Sequence, residues 1–252
     1  MAKISLSVKL VDYTPNPEKV VADAARVCYA GDEKIEELFG QNLDSIDDAR
    51  MIRTLIKMNH LSPLEHAKWT YFIQGVSRAL THQLVRHRIA SYSQRSQRYV
   101  EESNFDYVVP PTIEQAGLKE RYEEMMKIIG GFYEELAKGL EEKLGLKGEA
   151  RNQDARYVLP NACETKIVVT MNGRELVNVF LKERLCNRAQ WEIREMADKM
   201  LKLAYPTAPN IFAFAGPSCY SEGVCHQGKK SCGKANEVRE YFEELKRKHN
   251  IV

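Results

Sequence analysis

The stretch Trp69-Thr70-Tyr71-Phe72-Ile73-Gln74-Gly75-Val76-Ser77-Arg78-Ala79-Leu80-Thr81-His82-Gln83-Leu84-Val85-Arg86 decides the fold class. Trp69, Tyr71 and Ile73 alternate at the period of a half-buried strand. From about Val76 the pattern turns helical, through Leu80, Gln83, Leu84 and Val85 into Arg86. Working outward, Ile4, Leu6, Val8 and Leu10 predict a strand over 3–11, and Asn16-Pro17 opens a helix through Val20, Val21, Ala24, Ala25 and Cys28. Ser45, three residues before Asp48, resembles a capping box for a helix that stops near Asn59-His60. Residues 89–111 are polar and end in Pro110-Pro111, which excludes an ordinary helix throughout and favours a loop or extended segment. A long charged helix over about 118–143, a short one from Gly148 to Arg156 and a β-rich run at 166–171 follow. Helices at about 173–184, 187–204 and from 235 complete the chain. The expectation is α/β in the loose sense (α+β): a mixed β-sheet flanked by helices, with a helical carboxyl half.

The chain has 252 residues, 44% of them hydrophobic, enough for a substantial core in one domain or one domain with appendages. A formal charge of +2 provides no whole-protein field for nucleic acid or membrane, so any anion site must be local. The amino terminus lacks a signal-peptide run and no apolar stretch reaches the length of a membrane span, so a cytoplasmic protein is expected.

The chemistry concentrates in Arg86-His87-Arg88-Ile89-Ala90-Ser91-Tyr92-Ser93-Gln94-Arg95-Ser96-Gln97-Arg98-Tyr99, which is rich in arginine and has no acidic residue. A solvated charged face would interleave Glu with Lys. Guanidinium forks instead bind phosphate bidentately and stay charged when partly buried. Composition alone leaves three readings: a nucleotide or cofactor site, an RNA-binding patch in which Tyr92 and Tyr99 stack bases, or stems covering apolar surface.

The spacing narrows them. Arg86-His87-Arg88, seven residues, Ser96 and then Arg98 resembles the signature of the flavin-dependent thymidylate synthases. His60-Leu61-Ser62-Pro63-Leu64-Glu65-His66 resembles an upstream motif of that family. Gln83, Ala155-Arg156-Tyr157, Asn172-Gly173-Arg174, Asn178, and Arg184 before Ala189-Gln190-Trp191-Glu192 also match in order. The likeness covers roughly residues 1–215, taken as a catalytic domain with the thymidylate synthase-complementing fold, and leaves 216–252 as a tail.

The resemblance implies methylation of dUMP to dTMP with FAD, 5,10-methylenetetrahydrofolate and NADPH, without a covalent cysteine. It implies homotetramers whose active sites are shared between subunits. It assigns dUMP to Gln83, Arg86, Gln94, Ser96, Arg98, Arg156 and Arg184, and FAD to Ser62, Arg86, His87, Arg88, Gln94, Asn172, Arg174 and Asn178. His60 and His87 are placed near flavin and folate for stacking or hydrogen bonding. Arg184 is the expected catalytic residue, a permanent cation that stabilises charge developing at N3 and O4 of the uracil. Without the resemblance, an ion pair with Glu183 or Glu192 is the better reading of Arg184. Gln94 is a Glu in some members, which leaves binding but weakens any acid-base role. No G-x-G-x-x-G follows a strand, so the flavin rests on the resemblance alone. In the tail, Cys219, Cys225, His226 and Cys232 suit zinc, a disulfide or free thiols. The spacing is not that of a common finger, and no metal is assigned.

Overall fold

In a computed structural model the described residues are 1–32 and 45–249, with the side chains at 45 and 46 excepted. Four strands, β1 (Ser7–Tyr13), β2 (Lys68–Ser77), β3 (Ala90–Gln94) and β4 (Glu164–Asn172), form an antiparallel sheet in the order β1-β2-β4-β3. The expected combination of helices and sheet holds, with the sheet antiparallel where a mixed one was expected. By contacts the chain forms two compact units: residues 1–7, 72–86 and 92–168, and residues 8–71, 87–91 and 169–252.

The first unit is built on helices α3 (Arg78–Leu84), α4 (Lys119–Leu144) and α5 (Gly148–Ala155). Phe105, Tyr107, Val109, Met126 and Cys163 form one buried cluster, and Tyr133, Ala137 and Ala155 a second. Gly75 sits at φ +71°, where a Cβ would stand 2.1 Å from the Ser5 carbonyl oxygen, so only glycine allows that approach. The strand expected over 3–11 begins only at Ser7, because the Ile4 N–H bonds to the Tyr107 carbonyl at 3.1 Å. Val76 belongs to β2. The helix starts after Ser77, whose hydroxyl accepts the Leu80 N–H at 3.0 Å and caps it.

The second unit holds α1 (Pro17–Val27), α2 (Ser45–Lys57), α6 (π-helical over Glu175–Leu181, then Lys182–Arg184), α7 (Trp191–Ala204) and α8 (Ala235–Lys248). The capping contact expected of Ser45 lies outside the described residues. Trp69 is fully buried, meets Phe212 edge-on at 5.0 Å and donates to the Thr207 hydroxyl at 2.8 Å. The helix expected at 187 begins at Trp191, because the Gln190 side chain accepts the N–H groups of Glu192 and Ile193 at 3.0 Å each. That capping is the local reason for Gln190-Trp191-Glu192. Among the described residues no helix is long and apolar enough to cross a membrane.

Candidate functional site

The expected dUMP residues other than Arg184 all fall in the first unit. Gln83 is half-buried on α3 and Arg86 exposed just beyond it. Gln94 donates to the hydroxyls of Thr81 at 3.1 Å and Thr165 at 3.3 Å, which fixes its amide as a donor. Ser96 Oγ accepts the N–H groups of Arg98 at 3.1 Å and Tyr99 at 3.4 Å, a turn rather than an activated nucleophile. Arg98 is ion-paired with Glu149, and Arg156 Nε donates to the Gln153 carbonyl at 3.2 Å.

Arg95 is different in kind. Its guanidinium lies 3.5 Å from Glu102 and 3.7 Å from Glu164, both carboxylates almost fully buried, so it is committed to neutralising them. Burial first, and then Glu164, push the Glu102 carboxyl up, while Arg95 opposes them. Arg78, absent from the expected set, is held below its ordinary value by burial and, among other causes, by the charge of Arg156. Two cations near enough to repel one another are an electrostatic arrangement that an anion relieves.

In the second unit the structure brings together residues far apart in sequence. Arg184 Nε donates to His87 Nε2 at 3.0 Å, and His87 Nδ1 lies 3.1 Å from Glu175 Oε1. The donor from Arg184 requires a lone pair on Nε2, which places the proton on Nδ1 facing the carboxylate. Burial, then the Arg184 cation, lower the affinity of this imidazole for a second proton, outweighing Glu175 and Glu183. His87 and Glu175 are each only 5% exposed, and Phe180 packs edge-on against the ring at 5.1 Å. Glu183 Oε2 lies 3.9 Å from Arg184 Nη2, a loose contact to an exposed carboxylate. The ion pair considered from sequence is therefore present, but secondary to the histidine.

Sequence reasoning missed Glu175. Its signal is local: the Asn172 side-chain oxygen accepts the Glu175 N–H at 2.8 Å, a helix cap whose spacing points to this acid at the start of the helix. Gly173 follows because a Cβ there would meet the Leu64 carbonyl oxygen at 2.7 Å. The neighbouring Arg174 pairs with Glu65 at 2.6 Å.

A cavity of about 290 Å³ gathers His60, Ser62 and Arg174 with Tyr29, whose hydroxyl meets His60 Nδ1 at 3.0 Å. Its size suits part of a dinucleotide rather than the whole. Asn178, on the π-helical stretch, carries a buried side-chain oxygen with no hydrogen-bond partner among the described residues. A buried acceptor left open, and a separate cavity lined by hydroxyl, imidazole and guanidinium donors, are chemistry that fits the flavin that the resemblance implies. Arg88 is exposed, next to the buried His87.

In the tail, Cys219, Cys225 and Cys232 are joined by Cys186, while His226 turns to Glu222 at 2.6 Å. Burial raises the Cys219 thiol, and Cys186, Cys225 and Cys232 push it the same way.

Comparison with known proteins bears on the family and the fold. The family described as thymidylate synthase complementing protein matches residues 9–210. A flavin-dependent thymidylate synthase of Clostridium tetani is 46% identical over 95% of this chain and 98% of its own length. One from Nitratidesulfovibrio vulgaris is 45% identical over 93% and 97%, and one from Pyrococcus furiosus 40% over 86% and 88%. The crystal structure of a UMP/dUMP methylase, PolB from Streptomyces cacaoi bound with 5-Br dUMP, superposes with a TM-score of 0.70 at 23% identity, covering 84% of this chain and 94% of that one, which establishes likeness of fold. The chain belongs to the thymidylate synthase complementing protein family, that of the flavin-dependent thymidylate synthases.

Proposed function

We propose that the protein converts dUMP to dTMP, taking the one-carbon unit from 5,10-methylenetetrahydrofolate and reducing equivalents from NADPH through FAD. The observation that carries this reading is the Glu175–His87–Arg184 chain, which orients a permanent cation from a buried, neutral imidazole. Its Nε is held by His87, so the Nη edge meets N3 and O4 of the pyrimidine and stabilises the anion that makes C5 nucleophilic. The flavin, when bound, supplies the hydride that completes the methyl group.

Arg98, Arg156, Arg86 and Ser96 hold the phosphate and sugar, and Arg98 exchanges Glu149 for phosphate. Gln83 and Gln94 contribute amide donors to the nucleotide. Ser62, Arg174, His87, Arg88, Asn172 and Asn178 receive the flavin together with Arg86 and Gln94, and His60 lies beside flavin and folate. No covalent cysteine is required. In support, burial pushes the Cys163 thiol up to about 12, the opposite of an activated nucleophile. A homotetramer with active sites shared between subunits, and a cytoplasmic location, belong to the same proposal.

The test is an absorption spectrum of the purified protein with dUMP-dependent NADPH oxidation followed in the same cuvette. Bound flavin, reduced by NADPH, with dTMP formed when the folate is added, is the expected result. A protein that takes up neither FAD nor dUMP overturns the proposal.

A further inference from the structure

Cys186 precedes Cys219 by 33 residues and lies outside the tail, so spacing alone does not join it to Cys225 and Cys232. The fold does. All four sulfur-bearing residues line one small cavity of about 20 Å³, with Asn187 and Arg188 beside them. None of the four is in a disulfide. We propose that this cavity is a structural metal site in which Cys186, Cys219, Cys225 and Cys232 hold one zinc ion as a tetrathiolate.

Volume decides among occupants. A cavity of about one water-sized sphere accepts a single ion and excludes a multi-iron cluster. Four sulfurs and no imidazole form the soft tetrahedral donor set that zinc takes in closed structural sites. His226, the nitrogen ligand weighed from sequence, is drawn off to Glu222 instead.

Among the described residues no three such side chains already converge on one point, so binding requires the sulfurs to turn inward. The contacts to be released are weak. Cys225 Sγ donates to the Ser231 hydroxyl at 3.5 Å, and Asn187 Nδ2 donates to Cys232 Sγ at 3.8 Å. A χ1 change between staggered wells moves each sulfur without moving the backbone. Binding displaces the four thiol protons and leaves two net negative charges, next to Arg188. Arg239 holds the loop from behind, donating to the carbonyls of Cys219 and Gly223 at 2.7 Å each.

The consequence for the enzyme rests on the function proposed above: Cys186 stands two residues beyond Arg184, so the ion pins the turn that follows the catalytic arginine to the tail.

The experiment is metal analysis of the full chain, expressed with zinc supplied and purified without chelators or metal-affinity resin. About one zinc per chain is expected, falling several-fold in Cys225→Ser and Cys232→Ser and unchanged in Cys28→Ser. Cobalt exchanged into the unaltered protein should show thiolate-to-metal charge transfer and tetrahedral d–d bands, which decides the matter even where a serine variant fails to fold. Substoichiometric metal with no cobalt spectrum, whether the thiols titrate as free or an intact mass reveals disulfides, overturns the site. None of these readouts depends on thymidylate synthesis, so the site and the proposed function fail separately.

Discussion

Arg184 Nε donates to His87 Nε2 at 3.0 Å across 97 positions of sequence, and the far nitrogen of the same ring meets Glu175. The arginine is thereby aimed by a residue that is itself aimed by a buried carboxylate. Arg184→Ala should lower kcat about 10²–10³-fold, the usual effect of losing one preorganised donor to a developing anion, while bound flavin absorbance persists. Arg184→Lys should not restore the rate, since an ammonium cannot both bond His87 and present a planar edge to the pyrimidine. Single-turnover dTMP formation measures both.

The His87 ring titrates below its ordinary value of 6.5 because burial and Arg184 oppose the second proton. Between the folded value and about 6.5 the unfolded chain binds more protons, so stability rises with pH there. The contribution is fully present above about 6.5 and is lost as pH falls through the folded value. Urea midpoints from about pH 8 to 5 should show this loss, reduced in His87→Gln. Imidazole NMR should find the His87 pKa higher in Arg184→Ala and lower in Glu175→Gln.

The arginines of the basic stretch should separate by their partners. Arg156→Ala and Arg98→Ala should each raise KM for dUMP by about tenfold or more, the loss expected for a charge-assisted contact to phosphate. Arg95→Ala should instead destabilise the fold by about 3 kcal/mol, because the buried Glu102 and Glu164 lose the guanidinium they share. Steady-state kinetics and urea denaturation of the three variants distinguish the roles. Equal KM effects with no stability loss for Arg95→Ala contradict this assignment.

Asn178→Ala should weaken flavin binding by roughly fivefold, about one neutral hydrogen bond. The apoprotein should lose little stability, since the oxygen removed has no partner among the described residues. Flavin titration by fluorescence, set beside apoprotein melting, tests both halves.

Gly173→Ala brings a Cβ to within 2.7 Å of the Leu64 carbonyl oxygen, a clash with backbone. A loss of about 1–3 kcal/mol in unfolding free energy is expected. Unchanged denaturation midpoints overturn that reading of Asn172-Gly173-Arg174.

Sequence by itself carried the class of fold, because strand and helix periods are properties of neighbouring residues. Pro17 starting α1, the alternation at Trp69, Tyr71 and Ile73, and the long Lys119–Leu144 helix were all legible that way. It also carried the family, through side chains at characteristic spacing around Arg86 and Ser96. What sequence did not carry was partnership. A π-helical register at Glu175–Leu181 has the same composition as an α-helical one, so the sequence predicts only a helix there. The bonding of Glu175 to His87 and of His87 to Arg184, the sacrifice of Arg95 to two buried carboxylates, and the arrival of Cys186 beside three tail cysteines each join residues that no local period relates. Tertiary structure decided them because burial sets which polar groups must find one another, and that demand acts through space rather than along the chain.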